Sequence, residues 1–149
     1  LHANNARVSA SLSAKRLETG AAIERHLAEQ EERKAELTRL KRELLQLKAA
    51  RLERTEGCIC IFEEDMDMIT LRELVNAGAE LAGIACAGFT GRDGDYKYII
   101  GSRTKALRSM TKEINAAIEG RGGGSDAMLQ GTSRAGRETI ERYFESLKN

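Results

Sequence analysis

The chain has 149 residues, 41% hydrophobic and 32% charged, with 24 Lys and Arg against 23 Asp and Glu for a formal net charge of +1. That length suffices for one domain with a real core, while the high charged fraction predicts that part of the chain is solvated helix. Near-neutral charge argues for no particular partner, and three cysteines without a signal peptide fit reduced thiols in a cytoplasmic protein.

Proline is absent, so long uninterrupted helices are permitted, and no run of about 18 apolar residues exists to span a membrane. The sequence starts at Leu1 rather than Met, which is expected of a piece of a longer protein.

From about Asn5 to Arg54 the residues are mostly Ala, Leu, Glu, Lys and Arg, strong helix formers all. Gly20, preceded by Thr19 as a cap, predicts a short helix to about Leu17 and then a long one of about 35 residues. In the long helix Leu37, Leu40, Leu44 and Leu47 form a two-heptad seam, whereas His26, Gln30 and Arg33 upstream of it are polar. Those polar positions do not support a sustained coiled coil, and two uses fit such a helix: packing of the seam against one partner helix, across a dimer or within the chain, or a solvated arm that spaces two domains.

Beyond Gly57 the pattern changes. Gly57 to Phe62 is a short continuous apolar run and predicts a buried strand, followed by a helix over about Ile69 to Ala82. Gly83 to Gly91 predicts a second strand, and Asp93-Gly94 a hairpin turn into a third at Tyr96 to Ile100. A helix over about Lys105 to Glu119, a short strand at Met128 to Gln130 and a last helix over about Gly136 to Leu147 complete the chain. The expected fold class is therefore α+β: a helical arm over residues 1–55, then a small mixed β-sheet domain with flanking helices over residues 56–149.

Most metal and catalytic readings fail on spacing. Cys58 and Cys60 sit two apart on one strand with Cys86 on another, but the remaining soft ligands, His2 and His26, are on distant helices, so buried metal-free thiols are expected. Neither histidine lies near a nucleophile. Glu63, Glu64, Asp65 and Asp67 lack the ligand ladder of a calcium loop and suit a helix N-terminus instead.

The basic residues are more informative. Glu56 to Asp95 holds nine acids and two bases, while Lys97 to Lys112 holds five bases and no acid. On a helical wheel Leu107, Met110, Ile114, Ala117 and Ile118 share one face and Lys105, Arg108 and Lys112 the other. Directly after this helix comes Gly120-Arg121-Gly122-Gly123-Gly124, neither a Walker A nor a dinucleotide fingerprint. As composition it fits a tether or helix cap as well as a phosphate cradle made of bare N–H groups and an arginine.

The stretch IIGSRTKALRSMTKEINAAIEGRGGGSDAMLQGTS and the residues after it to Phe144 resemble the DHH-associated domain. That domain closes alanyl-tRNA synthetases and longer free-standing alanyl-tRNA editing proteins, and it occurs in DHH-type phosphoesterases. The opening LHANNARVSASLSAKRL is similar to the connector that follows an editing domain. The resemblance implies tRNA binding and a role in homodimerisation. It implies no catalytic residue here, because the HxxxH motif and later Cys and His of the zinc editing domain are missing; zinc is expected only in that absent domain. In the phosphoesterases the glycine motif continues into a histidine, and Ser125 stands in its place.

The expectation is thus a carboxyl-terminal tRNA-binding and dimerisation module of an alanyl-tRNA editing hydrolase, with no membrane partner. Its phosphate-binding surface is expected to combine Arg121 and the N–H groups of Gly122, Gly123 and Gly124 with Lys105, Arg108 and Lys112. The alternatives are a purely structural dimerisation module and the substrate-binding domain of a DHH-type phosphoesterase.

Overall fold

The computed structural model of the chain describes residues 2–147, with side chains from residue 8 onward, so a ligand role for His2 lies outside the described side chains. The first element, α1 (His2–Ala50), is one continuous helix where a short and a long helix were expected. Gly20 does not break it, because one glycine costs only about 1 kcal/mol in a helix interior and the flanking residues favour helix on both sides. Thr19 behaves as an interior residue: its hydroxyl donates to the Lys15 carbonyl at 2.9 Å instead of capping.

The chain divides into two compact units, Leu1–Leu44 and Leu45–Asn149, so the boundary falls inside α1 rather than after it. The first unit is helix alone, and its large apolar side chains are exposed, Leu37 at 53% and Leu40 at 49% among them. In the second unit the tail of α1 contributes Leu45 and Ala49 to the core, with Leu52 just beyond.

That second unit is a five-stranded mixed sheet with helices on both faces. The strands are β1 (Ile59–Glu63), β2 (Cys86–Arg92), β3 (Asp95–Gly101), β4 (Gly120–Gly124) and β5 (Met128–Ser133), in the order β1-β2-β3-β5-β4. Only β1 and β2 pair in parallel. Two helical crossovers account for the layers: α2 (Met68–Leu81) joins β1 to β2 on one face, and α3 (Leu107–Ala117) joins β3 to β4 on the other. The last helix, α4 (Arg137–Ser146), packs beside α3.

Side-chain alternation along the strands builds a core on each face. Against α3 and α4 lie Phe89, Tyr96, Tyr98, Ile100 and Leu129; against α2 lie Ile61, Cys86 and Ile99. Asp67 caps α2, accepting from the Thr70 N–H at 3.0 Å and from the Thr70 hydroxyl at 2.7 Å. Glu63 of the same acidic cluster pairs with Lys48 at 2.6 Å.

The glycine run is the main departure from the sequence reading. Gly120 to Gly124 is neither tether nor loop but the edge strand β4, paired antiparallel with β5 over its whole length. Glycine is depleted in strands, which hides such a strand from propensity. Here it is specified by packing.

Candidate nucleic-acid interface

The β4–β5 ladder decides where the expected phosphate ligands point. Just outside it, the Ser125 N–H donates to the Met128 carbonyl at 2.9 Å and the Arg134 N–H to the Glu119 carbonyl at 3.1 Å. Antiparallel ladders alternate, so Arg121 and Gly123 share hydrogen-bonded pairs with Thr132 and Gln130, while Gly120, Gly122 and Gly124 turn their backbone groups to the free edge. Of the three N–H groups in the expected cradle, two therefore face outward and the Gly123 N–H is used by the sheet. None of the three glycines has a positive φ, so the run is ordinary extended backbone.

Side chains alternate as well. A Cβ on Gly120 would meet Asn115 of α3, so the even-numbered positions of β4 face the α3 layer and Arg121 faces the opposite one, the side on which α2 lies. Lys105, Arg108 and Lys112 are exposed, Lys105 just before α3 and the other two on its outer side. The structure therefore does not bring Arg121 to one face with Arg108 and Lys112 of α3 and Lys105 before it; chain proximity suggested it, but the strand's alternation sends them apart.

What joins Arg121 instead is a row across the sheet. Lys97 of β3 is the register partner of Thr132 of β5, which is in turn the partner of Arg121 of β4. All three are exposed. In the next row Gln130 lies between Ile99 and Gly123, and its side-chain oxygen accepts from the Arg72 guanidinium of α2 at 2.7 Å. Because α2 lies over β1, β2 and β3, this half of the sheet is open. Asp95 of β3 lies beyond Lys97, toward the β2–β3 turn, where it pairs with Arg92 of β2. The sequence signal for Lys97 was present: it alternates with buried Tyr96 and Tyr98 and so must face the other side of β3.

The glycines also hold a buried aromatic. The Tyr98 hydroxyl lies over the Gly122 and Gly131 pair, close enough that a Cβ on either would meet it at 2.6 and 2.8 Å respectively. It donates to Asn115 Oδ1 at 2.7 Å, and Asn115 Nδ2 donates to the outward carbonyl of Gly122 at 3.1 Å. Burial pushes the Tyr98 phenol above its ordinary pKa, so it stays a donor. This chain of bonds fixes the edge strand against α3.

The thiols divide between the two faces. Cys58 and Cys60 pack against the α3 and α4 side and Cys86 against the α2 side. Burial pushes Cys60 and Cys86 up to about 12, which keeps both as neutral thiols at physiological pH. Among the described residues no group of three His, Cys, Asp or Glu side chains is placed to hold a metal ion, and no helix is long and apolar enough to cross a membrane.

No protein-family model matches the chain, and no curated protein sequence does. Among solved structures, the chain is similar to the C-Ala domain of alanyl-tRNA synthetase from Aquifex aeolicus. The two share 17% identity at a TM-score of 0.46, over 59% of this chain and 87% of that one.

Proposed function

We propose that this chain is a carboxyl-terminal RNA-binding and dimerisation module, and that it serves an alanyl-tRNA editing hydrolase whose zinc domain lies outside this sequence. The observation that carries the reading is the open half-sheet on the α2 side, where Lys97, Thr132 and Arg121 stand side by side with the Gly123 backbone bare beside them. A flat face of this kind admits a nucleic-acid backbone, and its groups are those that position phosphates: an arginine, a lysine and a hydroxyl. The outward N–H groups of Gly122 and Gly124 add donors along the rim. The resemblance of the glycine segment to the DHH-associated domain supplies the substrate class, tRNA.

The test is the salt dependence of tRNA binding, read by fluorescence anisotropy. Arg121→Ala and Lys97→Ala are each expected to weaken binding and to lower the slope of log K against log salt by about one unit. Lys105→Ala, Arg108→Ala and Lys112→Ala, on the opposite layer, are expected to leave the slope unchanged. Folded Arg121→Ala and Lys97→Ala proteins that bind tRNA as the wild type does would leave a structural module without RNA contact.

A further inference from the structure

The face of α1 that carries the leucine seam has a charge pattern that selects what covers it. With Leu37 and Leu44 at a positions of a heptad and Leu40 and Leu47 at d, the g positions are Glu29, Glu36 and Glu43, and the e positions are Lys34, Lys41 and Lys48. Every g residue is an acid and every e residue a base over three successive heptads. In a parallel coiled coil each g residue faces the e residue five positions later on the other helix, which sets Glu29 against Lys34, Glu36 against Lys41 and Glu43 against Lys48. An antiparallel pair would set g against g and e against e, acid on acid and base on base.

We infer that residues 29–47 of two copies of this chain form a parallel, in-register coiled coil, its core Leu37, Leu40, Leu44 and Leu47 and its flanks Glu–Lys pairs between copies. The inference deepens the dimerisation half of the proposed function and is independent of RNA contact. The seam is open for it: Leu37 and Leu44 are about half exposed, at 53% and 50%. The sheet unit's own core takes Leu45, Ala49 and Leu52, and Leu47 stays 63% exposed. Most of the flanking charges are open as well. Glu36 has only a long 3.9 Å contact with Arg39, both well solvated, and among the described residues Lys34 and Lys41 form no ion pair. Lys48 is held by Glu63, so Glu29 and Glu36 with their lysines set the orientation. Gln30 at an a position adds a polar pair that forms only when the two copies are in register.

Two cysteine variants separate this geometry from any other dimer. Arg33→Cys and Leu40→Cys lie at d positions one heptad apart, and a parallel in-register pair brings each next to its own copy. Both are expected to cross-link on mild oxidation, with background from the native thiols low, because burial raises Cys58, Cys60 and Cys86 all above the ordinary thiol pKa. An antiparallel pair can place only one such position on its axis. Charge reversal checks the flanks: Glu29→Lys with Glu36→Lys, or Lys34→Glu with Lys41→Glu, is expected to weaken the dimer in sedimentation, and mixing the two variants to restore it. Leu40→Asp is expected to raise the dissociation constant by at least about 100-fold. A wild-type monomer at high concentration overturns the inference, and so does cross-linking at one position or neither. Neither result touches the Arg121 and Lys97 binding assay, so failure here and failure of the RNA reading are distinguishable.

Discussion

At the scale of single residues, adjacent glycines of β4 do different work. Gly122 is there for space: a Cβ would collide with the Gln130 carbonyl, with Gly131 Cα at 2.6 Å and with the Tyr98 hydroxyl at 2.6 Å. Gly123 has nothing within 4 Å of where its Cβ would stand, and its φ is one that any residue adopts. Gly122→Ala is therefore expected to destabilise the sheet unit by about 1–3 kcal/mol through overpacking. Gly123→Ala is expected to be neutral or to stabilise by up to about 1 kcal/mol, by restricting the unfolded chain. Urea midpoints of the two variants check this, and equal losses would show that space is not what separates them. A Gly123 that tolerates alanine but then binds tRNA more weakly would point to close backbone approach by the ligand rather than to folding.

At the scale of elements, α4 shows how one helix is held by a residue far away in the sequence. Its N-cap is Gly136, which has no side chain to offer. The missing acceptor comes from the β2–β3 turn: Asp93 Oδ1 accepts from the Arg137 N–H at 3.0 Å and from the Tyr96 hydroxyl at 2.8 Å. Arg137 then lies 4.7 Å over the Phe62 ring. The Arg137 N–H, then the Tyr96 hydroxyl, hold the Asp93 carboxyl below its ordinary pKa. A depressed carboxylate pKa contributes stability that is present above the unfolded value and lost as pH falls through the folded one. Asp93→Asn is therefore expected to lower the urea midpoint at neutral pH, with the gap to wild type closing as pH drops below the ordinary carboxylate range, about 3.9. A gap that persists at low pH would mean that Asp93 acts through shape rather than charge. In the sequence only half of this is visible. Asp93-Gly94 announces a hairpin, and Gly94 does take the left-handed φ of 84° there, but nothing local says that the same aspartate caps a helix some forty residues on. The same limit explains β4 and α1. The order of strands and helices was legible because Gly57 to Phe62 is a continuous apolar run, Gly83 to Gly91 is a second one, and Asp93-Gly94 marks a turn into Tyr96 to Ile100. A strand made of glycines has no periodicity to read, and its pairing with β5 and its contact with Tyr98 are tertiary. Gly20 misleads in the opposite sense, since a residue disfavoured in helices is carried by its neighbours. The candidate site suffered in the same way: Arg121 was legible as a residue, but the row it shares with Lys97 and Thr132 comes from register.

At the scale of the whole chain, the two units differ in what keeps them folded. The sheet unit has a core on each face of its sheet, including fully buried Tyr98, Phe89 and Phe144, and such a unit unfolds cooperatively. The unit Leu1–Leu44 has no core of its own, and an isolated helix in water is held only by its propensities and by what covers its seam. The probes for the two are separate by composition. All three tyrosines, Tyr96, Tyr98 and Tyr143, belong to the sheet unit and tryptophan is absent, so tyrosine fluorescence reports that unit alone, whereas ellipticity at 222 nm is weighted toward the long helix. On heating, the 222 nm signal is expected to begin falling below the tyrosine transition, and its early phase to move up in temperature as protein concentration rises, because a dimer at the seam stabilises the helix by mass action. The tyrosine transition is expected to stay where it is over the same concentration range. Coincident transitions at every concentration would mean that helix and sheet unit unfold as one, and an early phase indifferent to concentration would mean that the helix stands without a second copy.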